Sequence, residues 1–188
     1  MGHRTKTIAW DSVNHVNYKA SVNLMTGQAE IKAKLRTLQG LVPSGYALAL
    51  HVRYTTPTFL FQTYDREWLD YYSQHGFVMT DPAVHWGFVN RGTRTWAELA
   101  DSDSAGVFKA AADHGLNYGI ACAMGEQASP SICAFARSDR EFTQAETDEI
   151  MGHLVEIHEL TDNLKALSPE TAKALKEMSI FYTHPTND

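Results

Sequence analysis

The spacing of apolar residues changes along the chain, and each spacing predicts a different kind of secondary structure. Near the start, Ile31, Leu35 and Leu38 recur at the interval that places residues on one face of a helix. Thr26 is a suitable N-cap, and Gly40 suits the C′ position beyond the last turn. The pattern therefore predicts a first helix from Thr26 to Gly40.

Two hairpins are predicted in the middle of the chain. Residues 46–64 are rich in Leu, Val, Phe, Thr and Tyr and are interrupted at 55–57, which predicts a strand, a turn and a strand. Apolar runs at 118–124 and 131–138 flank a turn-rich segment at 125–130, and they predict a second hairpin with a longer loop.

Helices are predicted on both sides of these strands. Thr143 and Glu146 form a capping-box signature, which indicates the start of a long helix. The core positions predicted for this helix are Ile150, Leu154, Ile157 and Leu164. Further helices are predicted over 66–75 (ended by Gly76), from Asp81 to about Asn90, and from Ser102 or Asp103 to Gly115. This order of elements predicts an α+β fold, in which helices cover the faces of a central antiparallel sheet.

The composition is that of an ordinary globular domain. Of the 188 residues, 44% are hydrophobic and 20% are charged, which argues against disorder. No apolar run approaches the ~18 residues that would span a bilayer, and no apolar segment of a signal peptide follows the N-terminal residues. We therefore expect a cytoplasmic protein with no membrane partner.

Charge and cysteine content narrow the function further. The net charge of −6 argues against tight DNA binding by this chain alone, because proteins that grip phosphates usually present a basic face. Cys122 and Cys133 lie in apolar runs, so we expect buried free thiols rather than a disulfide framework.

An enzyme is the weaker class of function. Neither cysteine has a charged neighbour that would lower its pKa, and no phosphate-binding loop or G-x-S-x-G motif is present. Of the nine histidines, His153 and His158 are five residues apart, which separates them by about 140° on a helix and prevents chelation. We therefore expect neither a metal nor another cofactor.

One stretch concentrates hydrogen-bonding aromatic residues beside a carboxylate. Trp68 and Tyr72 are four residues apart and so project from one face of the predicted helix, with Tyr64 before it and Asp81 after it. An indole donates, a phenol does either and a carboxylate accepts, which suits a small polar amide in an apolar pocket. Each residue also has a structural alternative. Trp68 and Tyr72 can be core aromatics, and Asp81 before Pro82 can be an ordinary N-cap.

The order and spacing of these residues resemble the autoinducer-binding domain of LuxR-type quorum-sensing regulators, which recognise N-acyl-homoserine lactones. The matching positions are Tyr64, Trp68, Tyr72, Asp81-Pro82, Trp96 and Tyr118-Gly119. The resemblance covers most of the chain. It implies an α-β-α sandwich with the ligand held between the sheet and the helices.

The resemblance also implies a role for each residue. Trp68 would bond the lactone carbonyl, Asp81 would accept the amide N–H, and Tyr72, helped by Tyr64, would bond the acyl carbonyl. Trp96 would pack beside the lactone ring. The ligand-binding residues implied are Tyr64, Trp68, Tyr72, Asp81, Val84, Trp96 and Ala111.

One position departs from the family pattern. The family often has Thr or Ser on a late strand near the pocket, whereas this chain has Ala134, with Ser131 as the nearest hydroxyl. Either a polar contact is missing here, or the strand register differs.

The resemblance divides the chain into a binding domain over residues 1–165 and a further segment over 166–188. Ser168-Pro169 begins a predicted helix that resembles the opening helix of the family's C-terminal helix-turn-helix domain. We expect the chain to lack a complete DNA-binding domain, because too few residues follow for the remaining helices.

The sequence therefore predicts an N-acyl-homoserine lactone sensor of the LuxR type, with the lactone as signal ligand and no cofactor. We expect a homodimer or a heterodimer with a LuxR-type relative. DNA would be a partner only if the native protein continues into a helix-turn-helix. The alternative is a protein without a helix-turn-helix that regulates a full-length relative by heterodimerisation.

Overall fold

The computed structural model describes residues 27–167 together with residues 173, 174 and 177, and a five-stranded sheet lies at its centre. The strands are β1 (Tyr46–Leu50), β2 (Phe59–Gln62), β3 (Gly92–Thr95), β4 (Tyr118–Met124) and β5 (Ser131–Arg137). They lie in the order β2-β1-β5-β4-β3, and every neighbouring pair is antiparallel. The predicted central antiparallel sheet is confirmed.

Six α-helices accompany the sheet within the described residues. They are α1 (27–41), α2 (Arg66–Gln74), α3 (Pro82–Val89), α4 (Trp96–Leu99), α5 (Val107–Asp113) and α6 (Gln144–Leu167). Helices α1 and α6 pack on one face of the sheet, whereas α2, α3 and α5 lie over the other face. The predicted α+β sandwich is therefore confirmed.

The two faces of the sheet carry side chains of different size, because residues alternate between faces along each strand. Leu48 of β1 pairs with Cys133 of β5, and both are buried against α1 and α6. On the opposite face Ala47 pairs with Ala134, which in turn pairs with Ala121 of β4. Large residues therefore fill one face, and small residues leave space on the other.

Most of the predicted boundaries agree with the structure. Helix α2 is followed by Gly76, whose φ of 61° is left-handed, and α3 begins at Pro82. Helix α6 begins after the capping box, in which the backbone N–H of Thr143 donates to Glu146 at 2.8 Å and the N–H of Glu146 donates to the Thr143 hydroxyl at 3.3 Å. These helix starts and stops are confirmed.

Two predicted helix ends are wrong. Helix α5 begins at Val107 rather than at Ser102 or Asp103, since residues 100–102 form a separate 3-10 turn. The Asp103 carboxylate accepts the N–H groups of residues 107 and 108 at 2.8 Å each, so it satisfies the helix start from outside the helix. Gly40 lies within α1, and the positive φ of 104° belongs to Gly45 instead.

Some predictions concern residues that the structure does not describe. The proposed N-cap Thr26, the predicted helix start at Ser168-Pro169 and the side chain of Leu164 lie outside the described residues. Of the helix predicted from Ser168-Pro169, only residues 173, 174 and 177 are described. Among the helices that are described, none is both long and apolar enough to cross a membrane.

Candidate ligand-binding site

A cavity of about 500 Å³ lies between the small-residue face of the sheet and the helices above it. Its floor comes from β1, β2 and β5, and its walls come from α2, α3 and α5. This size and a mainly apolar lining are typical of small-molecule pockets. All the residues implied by the resemblance line this cavity: Tyr64, Trp68, Tyr72, Asp81, Val84, Trp96 and Ala111. That they contact a ligand stays a prediction.

Asp81 both caps a helix and faces the cavity. Its Oδ1 accepts the backbone N–H of Ala83 at 2.8 Å, with Pro82 in the first turn of α3, so the N-cap interpretation is confirmed. Its Oδ2 accepts the hydroxyl of Tyr72 at 2.9 Å, a pairing that the sequence did not predict. A carboxylate has about four acceptor positions, so Asp81 can still accept a further N–H.

Trp68 is at once a core aromatic and a lining residue of the cavity. The residue is 5% exposed, and the centroid of its ring lies 5.5 Å from that of Tyr72, 6.3 Å from that of Tyr71 and 5.3 Å from that of His114. Tyr71 lies outside the cavity, whereas Trp68 and Tyr72 line it. Trp68 therefore packs against neighbouring rings and also faces the cavity.

Two polar groups beside the cavity are buried without a hydrogen-bond partner. They are the hydroxyl of Tyr64 and the indole nitrogen of Trp96. A buried donor that lacks a partner costs about 1–3 kcal/mol, and a bound molecule with polar atoms at this place would remove that cost. These two groups therefore lack the hydrogen bond that a buried polar group normally makes.

Gly119 fixes the position of Trp96. A Cβ on Gly119 would lie 2.2 Å from the Trp96 ring, so only glycine permits this approach. The other side of the ring stacks on Phe108 at 5.0 Å between centroids and an interplanar angle of 13°. The absence of a Cβ at Gly119 therefore allows a close approach, and the approaching group is the side chain of Trp96.

Burial controls the protonation of the polar groups. Desolvation raises the pKa of Asp81 above its ordinary value, although hydrogen bonds from Tyr72 and from the N–H of Ala83 oppose that shift. Desolvation, and then the charge of Asp81, raise the pKa of Tyr64 and of Tyr72. Both phenols therefore keep their protons at neutral pH and can donate. An added N–H donor would stabilise the ionised carboxylate.

Of the two alternatives for Ala134, the structure favours a missing polar contact over a different strand register. Ala134 lines the cavity, whereas Ser131 lies on the other face of β5. The Ser131 hydroxyl accepts the backbone N–H of His51 at 3.1 Å and lies 2.7 Å from Nδ1 of His158. The hydroxyl that the family often places here is therefore absent from this position of the cavity wall.

Of the cavity floor, the sequence analysis named only Ala134. The lining residues that it missed include Ala47, Ala49, Leu60 and Ile132 of the floor and Phe88 and Phe108 of the helices. A signal was present on β1, where Ala47 and Ala49 alternate with the larger Leu48 and Leu50. Such alternation indicates that one face of the strand carries only small side chains. Whether a helix fills the space above them depends on tertiary packing, which the sequence pattern does not give.

The two cysteines are buried and are not reactive groups. Cys122 and Cys133 are free and buried in the core beside α1 and α6, as predicted. Burial raises the pKa of both thiols, so neither is a reactive thiolate. In the described part of the chain, no group of three or more His, Cys, Asp or Glu side chains could hold a metal ion.

The fold and the cavity define a ligand-binding α+β domain. The family described as "Autoinducer binding domain" matches residues 40–160 of the sequence. The chain therefore belongs to the autoinducer-binding domains of LuxR-type quorum-sensing regulators, which bind small-molecule autoinducers and are not enzymes. No curated protein matches the chain.

Solved structures share the fold at low sequence identity. SdiA in complex with octanoyl-rac-glycerol is 20% identical with a TM-score of 0.50, and the match covers 84% of this chain and 66% of that one. A crystal structure of Escherichia coli SdiA is 20% identical, with a TM-score of 0.55 and coverage of 88% and 71%. The solution structure of residues 1–171 of E. coli SdiA is 21% identical, with a TM-score of 0.53 and coverage of 83% and 96%. The chain thus spans about two thirds of the first SdiA chain.

Proposed function

We propose that this domain is a sensor of N-acyl-homoserine lactones. The observation that carries the proposal is the composition of the cavity. It is mainly apolar, and it holds one carboxylate, Asp81, beside the donors Trp68 and Tyr72. An acyl-homoserine lactone has an apolar tail, one amide N–H to donate and carbonyl oxygens to accept, so its polar groups match this set.

In the proposed binding mode, the polar groups of the ligand are bonded by Asp81, Trp68 and the two tyrosines. Asp81 accepts the amide N–H, Trp68 donates to the lactone carbonyl, and Tyr72 donates to the acyl carbonyl with help from the unpartnered hydroxyl of Tyr64. Trp96 packs beside the lactone ring. Tyr72 already donates to Asp81, so its hydroxyl would turn toward the ligand while the ligand N–H replaces it on the carboxylate.

Ligand binding would be coupled to stability. A ligand that binds only the folded state stabilises it by about 2.7 kcal/mol when present at a hundredfold excess over its Kd. For a domain of this size each kcal/mol raises Tm by about 2–4 °C, so the best lactone should raise Tm by roughly 5–11 °C. The free lactone head, which lacks the acyl tail, should raise it very little because the tail supplies about 0.8 kcal/mol per buried CH₂.

A thermal-shift panel tests the proposal. The panel contains acyl-homoserine lactones of varied tail length, the free lactone, and octanoyl glycerol, which is the ligand named for the SdiA complex. A rise with acyl lactones alone supports the proposal. A rise with octanoyl glycerol and with no lactone would show that the site takes an acyl tail with a different head, and the proposed signal would be wrong.

Point variants on one helix test the polar contacts. Tyr72→Phe and Trp68→Phe should each weaken lactone binding by about 1–3 kcal/mol, the cost of leaving a ligand carbonyl unpaired. Tyr71→Phe is the matched control, because Tyr71 is next to Tyr72 but does not line the cavity. Isothermal titration that shows equal losses for Tyr71→Phe and Tyr72→Phe would contradict the binding mode.

Asp81→Asn tests the amide contact. An acyl lactone with an ester in place of the amide has no N–H to donate, so the preference of the wild-type protein for amide over ester should disappear in the variant. Equal loss of amide and ester ligands would reduce Asp81 to its N-cap role.

The proposed output is regulation of transcription in the cytoplasm through a dimer. The net charge of −6 favours an output through a partner over direct contact of this domain with DNA. A gel shift at physiological salt should show no sequence-specific operator binding by this chain alone. A tight complex that resists competitor DNA would contradict this expectation.

A further inference from the structure

The floor of the cavity is a groove built from small side chains. Ala47 and Ala49 of β1 and Ala134 of β5 all line the cavity, and Ala134 pairs directly with Ala47. The neighbouring positions Leu48 and Phe135 face the opposite side of the sheet, where they are fully buried. The small side chains are therefore confined to the cavity face, and the opposite face of the same strands is fully packed.

The groove has a polar end. Tyr64 lies against Gly45 just before β1, since a Cβ on Gly45 would be 2.8 Å from the Tyr64 backbone. The Tyr64 hydroxyl is buried without a partner at this cavity, and Tyr64 as a whole is 8% exposed. From this end β1 leads away past Ala47 and then Ala49 toward Val52, which also lines the cavity.

The length of the groove indicates how long an alkyl chain it can hold. The chain from Ala47 to Val52 spans at most about 17 Å, and it bends at His51, whose φ is 51°. An extended alkyl chain advances about 1.3 Å per carbon, because bonds of about 1.5 Å zigzag at the tetrahedral angle. The groove therefore matches a straight tail of about ten carbons or slightly more.

The cavity is open rather than closed beyond the groove. Its exposed lining residues include Thr55, in the turn before the edge strand β2, and Val78 and Met79, in the stretch before α3. Ser73, Gly76 and His85 are exposed lining residues as well, whereas Pro57 is half-buried. Val78 and Met79 are apolar, yet 50% and 65% of their surfaces are exposed. The exposed lining residues indicate that the cavity opens to solvent.

We infer, on the basis of the proposed function, that the ligand carries a long, unbranched acyl tail that lies over Ala47, Ala49 and Ala134. The end of the tail reaches the opening between Pro57 and Met79. Each buried methylene should tighten binding about fourfold, which corresponds to ~0.8 kcal/mol. Carbons beyond the opening enter water and add nothing, so affinity should level off with length and not fall.

The first experiment measures Kd for unsubstituted homoserine lactones from butanoyl to hexadecanoyl. The expected result is a steady gain of about fourfold per methylene up to decanoyl or dodecanoyl and a plateau after it. An optimum at butanoyl to octanoyl with weaker binding of longer tails would overturn the inference, because it would indicate a closed pocket. Fatty glycerol esters of the same lengths form a second series. If only that series binds, with the same length profile, the proposed lactone head is wrong and the tail inference stands. If neither series binds, both fail.

The second experiment uses substitutions in the groove to locate the tail. Ala47 and Ala49 are about 7 Å apart along the strand, which equals about five carbons of a straight chain. Ala47→Leu should therefore block tails about five carbons shorter than those that Ala49→Leu blocks, with a loss of about tenfold or more for blocked tails.

Ala33→Leu, at an exposed position on α1, is the control and should change no Kd. Unfolding midpoints without ligand show whether the variants fold. If Ala47→Leu and Ala49→Leu fold and bind every tail as the wild type does, the tail does not lie over β1 and the inference is wrong.

Discussion

The two faces of the central sheet are built from the same strands but serve different ends. On the face covered by α1 and α6, Leu48, Phe61 and Phe135 of the strands are completely buried, as are Leu35 and Leu154 of the helices. On the other face the strands present alanines, and a cavity of about 500 Å³ separates them from the helices. One face therefore holds the domain together, while the other is left open for a ligand.

Two tyrosine hydroxyls, one beside each face, differ in their hydrogen bonding. Beside the packed face the hydroxyl of Tyr46 donates to the carbonyl oxygen of Leu35 at 3.2 Å. At the cavity the hydroxyl of Tyr64 has no partner, as is also true of the indole nitrogen of Trp96. Buried atoms without a partner also occur in Gln39 of α1 and His153 of α6, so they are not confined to the cavity face. Substitutions on the packed face should change the unfolding free energy. Substitutions on the cavity face should change ligand affinity as well as the unfolding free energy.

The largest expected effect comes from a cavity made on the packed face. Phe135→Ala should lower the unfolding free energy by about 3–5 kcal/mol, through lost burial and an unfilled cavity. The comparison is Ala134→Val on the adjacent residue, which points into existing space and should cost less than about 1 kcal/mol. Urea denaturation of both variants measures this difference. Similar losses at the two positions would mean that both faces are equally well packed.

The features of the fold that could be predicted from the sequence are those that depend on neighbouring residues. The capping box of Thr143 and Glu146, the Asp81-Pro82 helix start and the stop at Gly76 each depend on a few adjacent residues, and each was predicted in place. The α5 start was misplaced because the Asp103 side chain acts from four residues before the helix. Strand β3 was missed because Gly92–Thr95 is polar and short, and only pairing with β4 makes it a strand.

In the candidate site, too, several residues could be predicted from the sequence but the contacts between them could not. Residues with a distinctive chemical group, such as Trp68 and Asp81, were predicted from spacing together with the family resemblance, and they line one cavity. The pairing of Tyr72 with Asp81 and the isolation of the Tyr64 hydroxyl depend on distances between separate elements. Spacing along a chain carries no such distances, so they could not be predicted.

A smaller effect is expected where a glycine sets the cavity wall. Gly119→Ala would bring a Cβ to 2.2 Å from the Trp96 ring, so the ring must move, at a cost of about 1–3 kcal/mol. Gly152→Ala is the control, because that glycine is exposed on α6 with nothing within 4 Å. It should stabilise the domain by about 0.5–1 kcal/mol. Thermal unfolding compares them, and a neutral Gly119→Ala would show that Trp96 is free to move.

Two tyrosines on opposite faces should respond with opposite signs. Tyr64→Phe removes a hydroxyl that is buried without a partner, so the ligand-free domain should gain up to about 1 kcal/mol. Tyr46→Phe removes a satisfied hydroxyl and should cost about 1 kcal/mol. Chemical denaturation without ligand measures both. Destabilisation by Tyr64→Phe equal to that of Tyr46→Phe would mean that the Tyr64 hydroxyl is paired in solution.

The smallest effect is a difference in pH dependence between two carboxyls. The pKa of Asp81 is raised chiefly by desolvation, so the folded state binds its proton more tightly than the unfolded chain does. Its contribution to stability is therefore best below the ordinary pKa of 3.8 and declines as pH rises through the raised folded pKa. Asp81→Asn cannot ionise, and its side-chain oxygen can still cap α3. The stability of this variant relative to the wild type should therefore increase with pH across that window and then level off.

Glu146, at the start of α6, provides the opposite case. Hydrogen bonds from Arg140 and from the N–H of Thr143 lower its pKa below 4.5, so its contribution is present above that value and is lost as pH falls. Glu146→Gln should therefore lose stability relative to the wild type at neutral pH and approach it in acid. Urea titrations of both variants from acid to neutral pH give the two slopes. Slopes of the same sign would show that the cavity does not penalise the charge of Asp81, and the carboxylate would then have no need of a ligand N–H.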